Sequence, residues 1–159
     1  MTDLPLIKYS RDSYTISTDK SLLDVDAIHD YLSNESYWSP GIPRQVVERA
    51  IAGSLCFGMY CAGAQVGYAR VISDFATFAY LLDVYILKEH RGRGLGKWLV
   101  ESILGYPELR HIRGWMLSTW DAHGLYEKYG FKTLEHPEFV MSRRNPEAFS
   151  QFMALMDTP

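Results

Sequence analysis

Nowhere does the chain run apolar for the roughly 18 residues that a membrane-spanning helix requires. Its first residues, Met1-Thr2-Asp3-Leu4-Pro5, lack the basic and apolar blocks of a secretory signal. The expectation is a cytoplasmic protein with no membrane partner. Cysteine is scarce, with only Cys56 and Cys61 among 159 residues. The four residues between them lie in an apolar stretch and are not a zinc spacing, so no metal site is expected. Their odd offset puts them on opposite faces of a strand, which predicts reduced, buried thiols. Basic residues are not in excess, with 16 Lys and Arg against 19 Asp and Glu and a net charge of −3. A nucleic-acid partner is therefore not expected. Repeats, low-complexity segments and long linkers are also absent, and the length suits one core, so residues 1–159 are read as a single domain.

What the chain does have is concentrated at its centre. Arg91-Gly92-Arg93-Gly94-Leu95-Gly96 follows an apolar stretch at 78–87 and opens a helical pattern near Leu95. Glycines at alternate positions strip side chains from a strand-to-helix turn. Its N–H groups are then free to converge on an anion at the positive end of the helix. Arg91, Arg93 and Lys97 add full positive charges at the same point, a local feature of a phosphate-binding site. The spacing excludes two common anion loops. The third glycine comes one residue early for a dinucleotide fingerprint. Lys97 is followed by Trp98, where a P-loop needs a Ser or Thr to hold magnesium.

Periodicity sets the organisation around this loop. It predicts a strand at 13–18 and a helix at 24–32, with Val25, Ile28 and Leu32 on one side. A turn-rich segment at 33–43 holds the adjacent aromatics Tyr37 and Trp38, and a helix follows Pro43 with Val46, Val47, Ala50 and Ile51 inward. Strands at 54–61 and 65–72 form a hairpin through Ala62-Gly63-Ala64, and a long strand at 77–87 leads into the glycine loop. The helix at 94–104 buries Leu95, Leu99 and Ile103. A strand at 114–118, a short helix capped by Asp121, strands near 131–135 and 139–141, and a helix at 146–156 complete the chain. In that last helix Phe149, Phe152, Leu155 and Met156 form an apolar set that would pack on the sheet or make a homodimer contact.

A second motif lies downstream, Leu125-Tyr126-Glu127-Lys128-Tyr129-Gly130-Phe131. Leu125 and Tyr129 share a helix face, Gly130 ends the helix in a left-handed conformation, and Phe131 starts the next segment. R-x-x-G-x-G at 91–96 resembles the coenzyme A pyrophosphate loop of the GNAT superfamily of acyl-CoA N-acyltransferases. The motif at 125–131 resembles that superfamily's [FL]-Y-x-K-x-G-F signature, in the same order and at a matching separation. The resemblance covers roughly residues 55–131.

This resemblance implies an α/β (α+β) fold, with a mixed, mostly antiparallel central sheet flanked by helices and a strand splay at the acyl-CoA site. It implies acetyl-CoA as acyl donor. The pyrophosphate would lie on the backbone of Gly92, Arg93, Gly94, Leu95, Gly96 and Lys97, beside Arg91. Val84, Tyr85 and Ile86 would pair main chain to main chain with the pantetheine arm, and a bulge there would present an N–H to the thioester oxygen. Tyr126 would give a proton to the departing thiolate, as a phenol of pKa about 10 can at neutral pH. Thr119, seven residues earlier, stands where many relatives carry a cofactor-binding Asn.

Deprotonating the acceptor is the demanding step. An alkyl amine of pKa about 10.4 is neutral about once in 2,500 molecules at pH 7, a deficit of about 4.6 kcal/mol. Polyamine-acetylating relatives carry Glu-Asp nine and eight positions before the loop arginine, where this chain has Leu82 and Asp83. Strict alternation puts Asp83 on the face of Leu81 and Tyr85. Asp83 is read as the base, as a binder of a cationic amine, or as the partner of Arg70 on the preceding strand. Arg70, if not so paired, suits a substrate carboxylate. Tyr37 and Trp38, beside Glu35, could enclose an ammonium, and Phe57, Tyr60 and Tyr68 could extend that pocket. His123 is read as a surface residue or as a second titrating group. The leading expectation is an N-acetyltransferase moving an acetyl group from acetyl-CoA to a primary amine of a small molecule. A protein lysine or N-terminal acetyltransferase and a non-catalytic acyl-CoA sensor are the alternatives.

Overall fold

The computed structural model describes residues 3–158; Met1 and Thr2 of the N-terminal segment discussed above, and Pro159, lie outside the described residues. Six strands lie side by side in chain order: β1 (Lys8–Arg11), β2 (Tyr14–Ser17), β3 (Leu55–Cys61), β4 (Ala64–Ser73), β5 (Phe78–Ile86) and β6 (Gly114–Met116). The four junctions from β1 to β5 are antiparallel, and β5 pairs with β6 in parallel. The expected strand at 13–18 is β2. Its partner β1 went unforeseen, joined through a tight turn in which Asp12 takes a φ of 52°.

Alternate side chains of a strand serve opposite faces, so both faces of this sheet carry apolar residues. On one face, helices α1 (Val25–Asp30) and α2 (Arg44–Ala52) bring Ile28, Val47 and Ile51 against Cys56, Tyr68 and Tyr85. Asp24 starts α1, its carboxylate accepting the Ala27 N–H at 3.0 Å, and Pro43 is the cap of α2. On the other face, helix α3 (Leu95–Leu104) buries Leu99, Val100 and Ile103 against Ile16, Phe57 and Leu81. The two thiols do face opposite sides, but only Cys56 is buried; Cys61 is half-exposed, and both are free.

Two irregularities at the β5 edge create the space for a site. First, β5 and β6 pair only over Phe78–Tyr80 and Gly114–Met116, so beyond Tyr80 the strands part and β5 has no partner on that side. Second, β5 carries a bulge. Tyr68 faces Tyr85 and Arg70 faces Leu82, so Ala69 stands opposite both Asp83 and Val84. Asp83 absorbs the extra residue with a φ of 53°, a left-handed conformation that Asp tolerates better than most.

Past β6 the structure departs from the sequence reading. Helix α4 (His123–Glu127) starts from Ala122, whose N–H is held by Thr119 Oγ1 at 3.1 Å, and not from an Asp121 cap. The strands expected at 131–135 and 139–141 do not form. Phe131 is held by edge contacts with Trp115 and Tyr126, and Pro137, with no N–H to give a ladder, opens a 3-10 turn at Pro137–Phe139. The terminal helix α5 (Ala148–Met156) lies near α2, with Phe152 half-buried and Leu155 and Met156 exposed. Among the described residues no helix is long and apolar enough to cross a membrane.

The β3–β4 hairpin turns through two residues, Ala62 at φ 50° and Gly63 at φ 80°, the signs of a type I′ turn. Ala is the wrong residue for the first position. Ala62→Asn should stabilise the protein by about 0.5 kcal/mol, read as a higher urea midpoint at unchanged slope.

Candidate active site

The glycine loop builds the N-terminus of α3. Gly92 and Gly94 sit at φ 77° and 75°, where a side chain is strained, and Gly94 is the helix cap. The first helical bond runs from Trp98 N–H to Gly94 O at 3.1 Å, which leaves the N–H groups of Leu95, Gly96 and Lys97 without intrahelical partners. Arg91 ties the loop to the end of β5. Its Nε donates to Ile86 O at 2.8 Å, and its terminal nitrogen donates to Tyr31 Oη at 3.2 Å. The Ile86 carbonyl expected to face a pantetheine arm is thus already engaged. Among the described residues neither Arg93 nor Lys97 has a carboxylate partner.

Two further cations gather there that the motif did not reveal. Arg11 lies over the Trp98 ring, with its guanidinium carbon 5.8 Å from the ring centroid, and it reaches to within 3.8 Å of where a Gly94 Cβ would stand. Lys128 lies close enough to Lys97 that the second ammonium holds its pKa below the usual lysine value. Only the antiparallel pairing of β1 with β2 brings Arg11 here, so no local spacing could have disclosed it.

A cleft of about 410 Å³ runs from this loop along β5, lined by Arg91, Gly92, Gly94, Leu95, Gly96 and Lys97 at one end and by Val84, Tyr85 and Tyr126 further along. Arg93 and Thr119 do not line it. Tyr85 forms part of its floor, buried and stacked on Tyr31 at 3.7 Å between ring centroids. Burial pushes both phenols above the usual tyrosine range.

A smaller cleft of about 150 Å³ occupies the gap where β5 leaves β6, bordered by Tyr37, Trp38, Tyr80, Asp83, Thr119, Asp121 and Tyr126 among others. The bulge corrects the expectation from strict alternation. Leu81 packs on the α3 side, whereas Tyr85 faces α1 and α2 with Asp83 on the same side as Arg70. Asp83 is 9% exposed in its side chain and its two oxygens are both committed, Oδ2 to Arg70 Nε at 2.5 Å and Oδ1 to Trp38 Nε1 at 2.8 Å. Arg70 is therefore not free for a substrate carboxylate.

Tyr37 stacks on Trp120 at 3.8 Å and donates to Asp121 Oδ1 at 3.3 Å, closing the outer rim. Glu35, expected beside these aromatics, borders neither cleft, and Phe57, Tyr60 and Tyr68 also lie outside them. Phe57 and Tyr68 are core residues. Thr119 turns its hydroxyl to the start of α4 and to Asp121, and His123 faces a third cavity on the far side of α4.

Tyr126 stands where the clefts meet, lining both as well as the third cavity. It is 7% exposed, and its hydroxyl has no hydrogen-bond partner among the described residues. Burial, with smaller contributions from Tyr37 and Asp121, pushes the phenol up to about 12. It is a neutral proton donor at any ordinary pH. Among the described residues no group of three or more His, Cys, Asp and Glu could hold a metal ion.

A sheet that parts beside a glycine-rich helix N-terminus, with a phenol at the fork, is the strand splay expected of the acyl-CoA N-acyltransferases that the two motifs resemble. The acetyltransferase (GNAT) domain profile matches residues 52–133. A curated protein of Gibberella zeae, provisionally named an acetyltransferase, is 38% identical over 143 residues, spanning 76% of this chain and 79% of its own. The crystal structure of a Xanthomonas campestris pv. campestris protein assigned to the GNAT family superposes with a TM-score of 0.82 at 50% identity, covering 86% of this chain and 96% of that one. A GNAT family acetyltransferase from Elizabethkingia anophelis, crystallised with acetyl-CoA bound, shares the fold at a TM-score of 0.57 and 16% identity, over 79% of this chain and 80% of its own. The chain belongs to the GNAT family and is an acyltransferase.

Two outcomes follow from the geometry. Gly94→Glu should abolish coenzyme A binding by calorimetry, because it sets a carboxylate at the anion-binding helix end; Gly94→Ala, which adds only the left-handed strain of about 1–2 kcal/mol, should bind. Arg70→Met should destabilise the fold by about 3–5 kcal/mol in urea unfolding, since it leaves the Asp83 carboxylate buried with Trp38 alone.

Proposed function

We propose that this chain is an acetyl-CoA-dependent N-acetyltransferase whose acceptor is a primary amine of a small molecule. The observation that carries this reading is the position of Tyr126, between a cationic cleft at a helix N-terminus and a small cleft rimmed by aromatic rings and carboxylates. The donor set fits the cofactor. Backbone N–H groups of Leu95, Gly96 and Lys97, with the positive charges of Arg93 and Lys97 nearby, suit a pyrophosphate. Gly92 and Gly94 supply the turn, and Arg91 fixes it. The unpartnered edge of β5 at Val84 and Tyr85 suits the amide groups of a pantetheine arm, and the bulge at Asp83 turns the backbone where a thioester oxygen would need a donor.

In the transfer itself, the acceptor nitrogen bonds to the acyl carbon as the carbon–sulfur bond breaks. Tyr126 gives its proton to the departing sulfur. Asp83, with both oxygens occupied, positions Trp38 and holds the bulge. Tyr37 and Trp38 offer ring faces to a cationic acceptor. Thr119 orients α4, and Tyr126 with it, through the Ala122 N–H. The small volume of this cleft, about 150 Å³, favours a small amine over a segment of polypeptide.

The test is thiol release from acetyl-CoA across a panel of amines, amino acids and peptides, with cofactor affinity measured in parallel. Tyr126→Phe should lower kcat about 100-fold while leaving acetyl-CoA affinity within about 2-fold. The wild-type rate should rise with pH as the amine loses its proton. It should show no falling limb below about pH 11, because a phenol at about 12 keeps its proton until the pH passes that value. A falling limb at lower pH would assign the acid to another group, and unchanged kinetics would make Tyr126 a packing residue.

A further inference from the structure

Two carboxylates border the acceptor-side cleft, and they are not equivalent. Asp83 is nearly enclosed and has both oxygens bonded to Arg70 and Trp38. Asp121 is exposed and borders both clefts beside Tyr126, and it is the one carboxylate on the larger cleft among the described residues. Its Oδ1 accepts two long bonds, from Tyr37 Oη and Thr119 Oγ1, each 3.3 Å, and its Oδ2 accepts none from the described residues. Tyr37, which bonds Asp121, stacks on Trp120 and meets the Trp38 ring at a right angle. The residues bordering the small cleft include no Lys, Arg or His.

Resting on the acetyl-transfer reading above, we propose that Asp121 is the acceptor-binding carboxylate of this enzyme and that its acceptor is a primary alkyl amine without a carboxylate next to the amino group. Asp121 Oδ2 receives the ammonium while the aromatic faces share its charge. An amino acid fits poorly, because in the small cleft its carboxylate meets the unpaired negative charge of Asp121 and no unpaired cation. The protons balance. The ammonium releases one proton by way of Asp121 and water before the nitrogen attacks. A second leaves nitrogen as the carbon–nitrogen bond forms, and it restores the one that Tyr126 gives to sulfur. The products are the amide, the free thiol and one proton in solvent.

The experiment uses n-butylamine, norvaline (which is n-butylamine with an added carboxyl group) and hydroxylamine, a nucleophile already largely neutral at neutral pH. Thiol release is corrected for the uncatalysed reaction. The wild type should prefer n-butylamine to norvaline by at least about 10-fold in kcat/KM. Asp121→Asn should lower kcat/KM for n-butylamine about 100-fold and for hydroxylamine less than about 3-fold, with acetyl-CoA affinity by calorimetry unchanged. Asp121→Glu should recover part of the loss. Equal losses for both nucleophiles, no loss for n-butylamine, or norvaline used as well as n-butylamine would each overturn the assignment. If the wild type binds acetyl-CoA but releases no thiol with any of the three, the transfer reading itself fails along with it. That failure shows before any variant is compared.

Discussion

Asp83 holds a backbone conformation that costs an L residue about 1–2 kcal/mol, and much of the site depends on its being held there. The extra residue at 83/84 turns the second half of β5 over. Leu81 packs against α3, yet Tyr85 four residues later faces α1 and α2. The Arg70 ion pair and the Trp38 indole fix the side chain of the strained residue from two directions. These contacts explain why a carboxylate can sit midway along an otherwise apolar strand. It is a positioning group for the backbone, and its bonds also place Trp38 at the edge of both clefts.

The electrostatic layout runs along one axis. Arg11, Arg91, Arg93, Lys97 and Lys128 collect around the α3 N-terminus, where the helix dipole has the same sign. Such a cluster of like charges is self-repelling, and an anion relieves it. At the other end stand Asp121 and the neutralised Asp83, with aromatic faces between them. Tyr126 lies at the junction, kept neutral by burial, so it can lend a proton without adding a charge to either end.

Sequence made the glycine loop, the Tyr126 motif and most of the sheet legible because each rests on local spacing. Gly130 does take the left-handed conformation that its place in the Tyr126 motif suggests, with a φ of 86°. Period-2 alternation failed at Asp83 because a bulge adds one residue to the count, and nothing local announces it. Arg11 and Asp121 escaped for a different reason. The Arg11 side chain meets Gly94 across more than eighty positions, and Tyr37 meets Asp121 across a similar gap. The strands expected at 131–135 and 139–141 were misread because their apolar residues, Phe131, Leu134, Phe139, Val140 and Met141, do not alternate, and Pro137 breaks the run.

The segment after α1 joins these parts. A π-helical turn at Tyr31–Glu35 continues that helix, a form that persists where a packed side chain compensates for its poorer geometry. Tyr31 provides that packing by stacking on Tyr85, and its hydroxyl takes a bond from Arg91 of the glycine loop. Six and seven residues later, Tyr37 and Trp38 engage Asp121 and Asp83. One short stretch of chain therefore touches the cationic helix end, the strand bulge and the rim of the smaller cleft. The floor of the larger cleft and the rim of the smaller are set by the same backbone. A change in the Tyr31 stack would reach the rim of the smaller cleft through the six residues between Tyr31 and Trp38, whose rings also lie 6.4 Å apart.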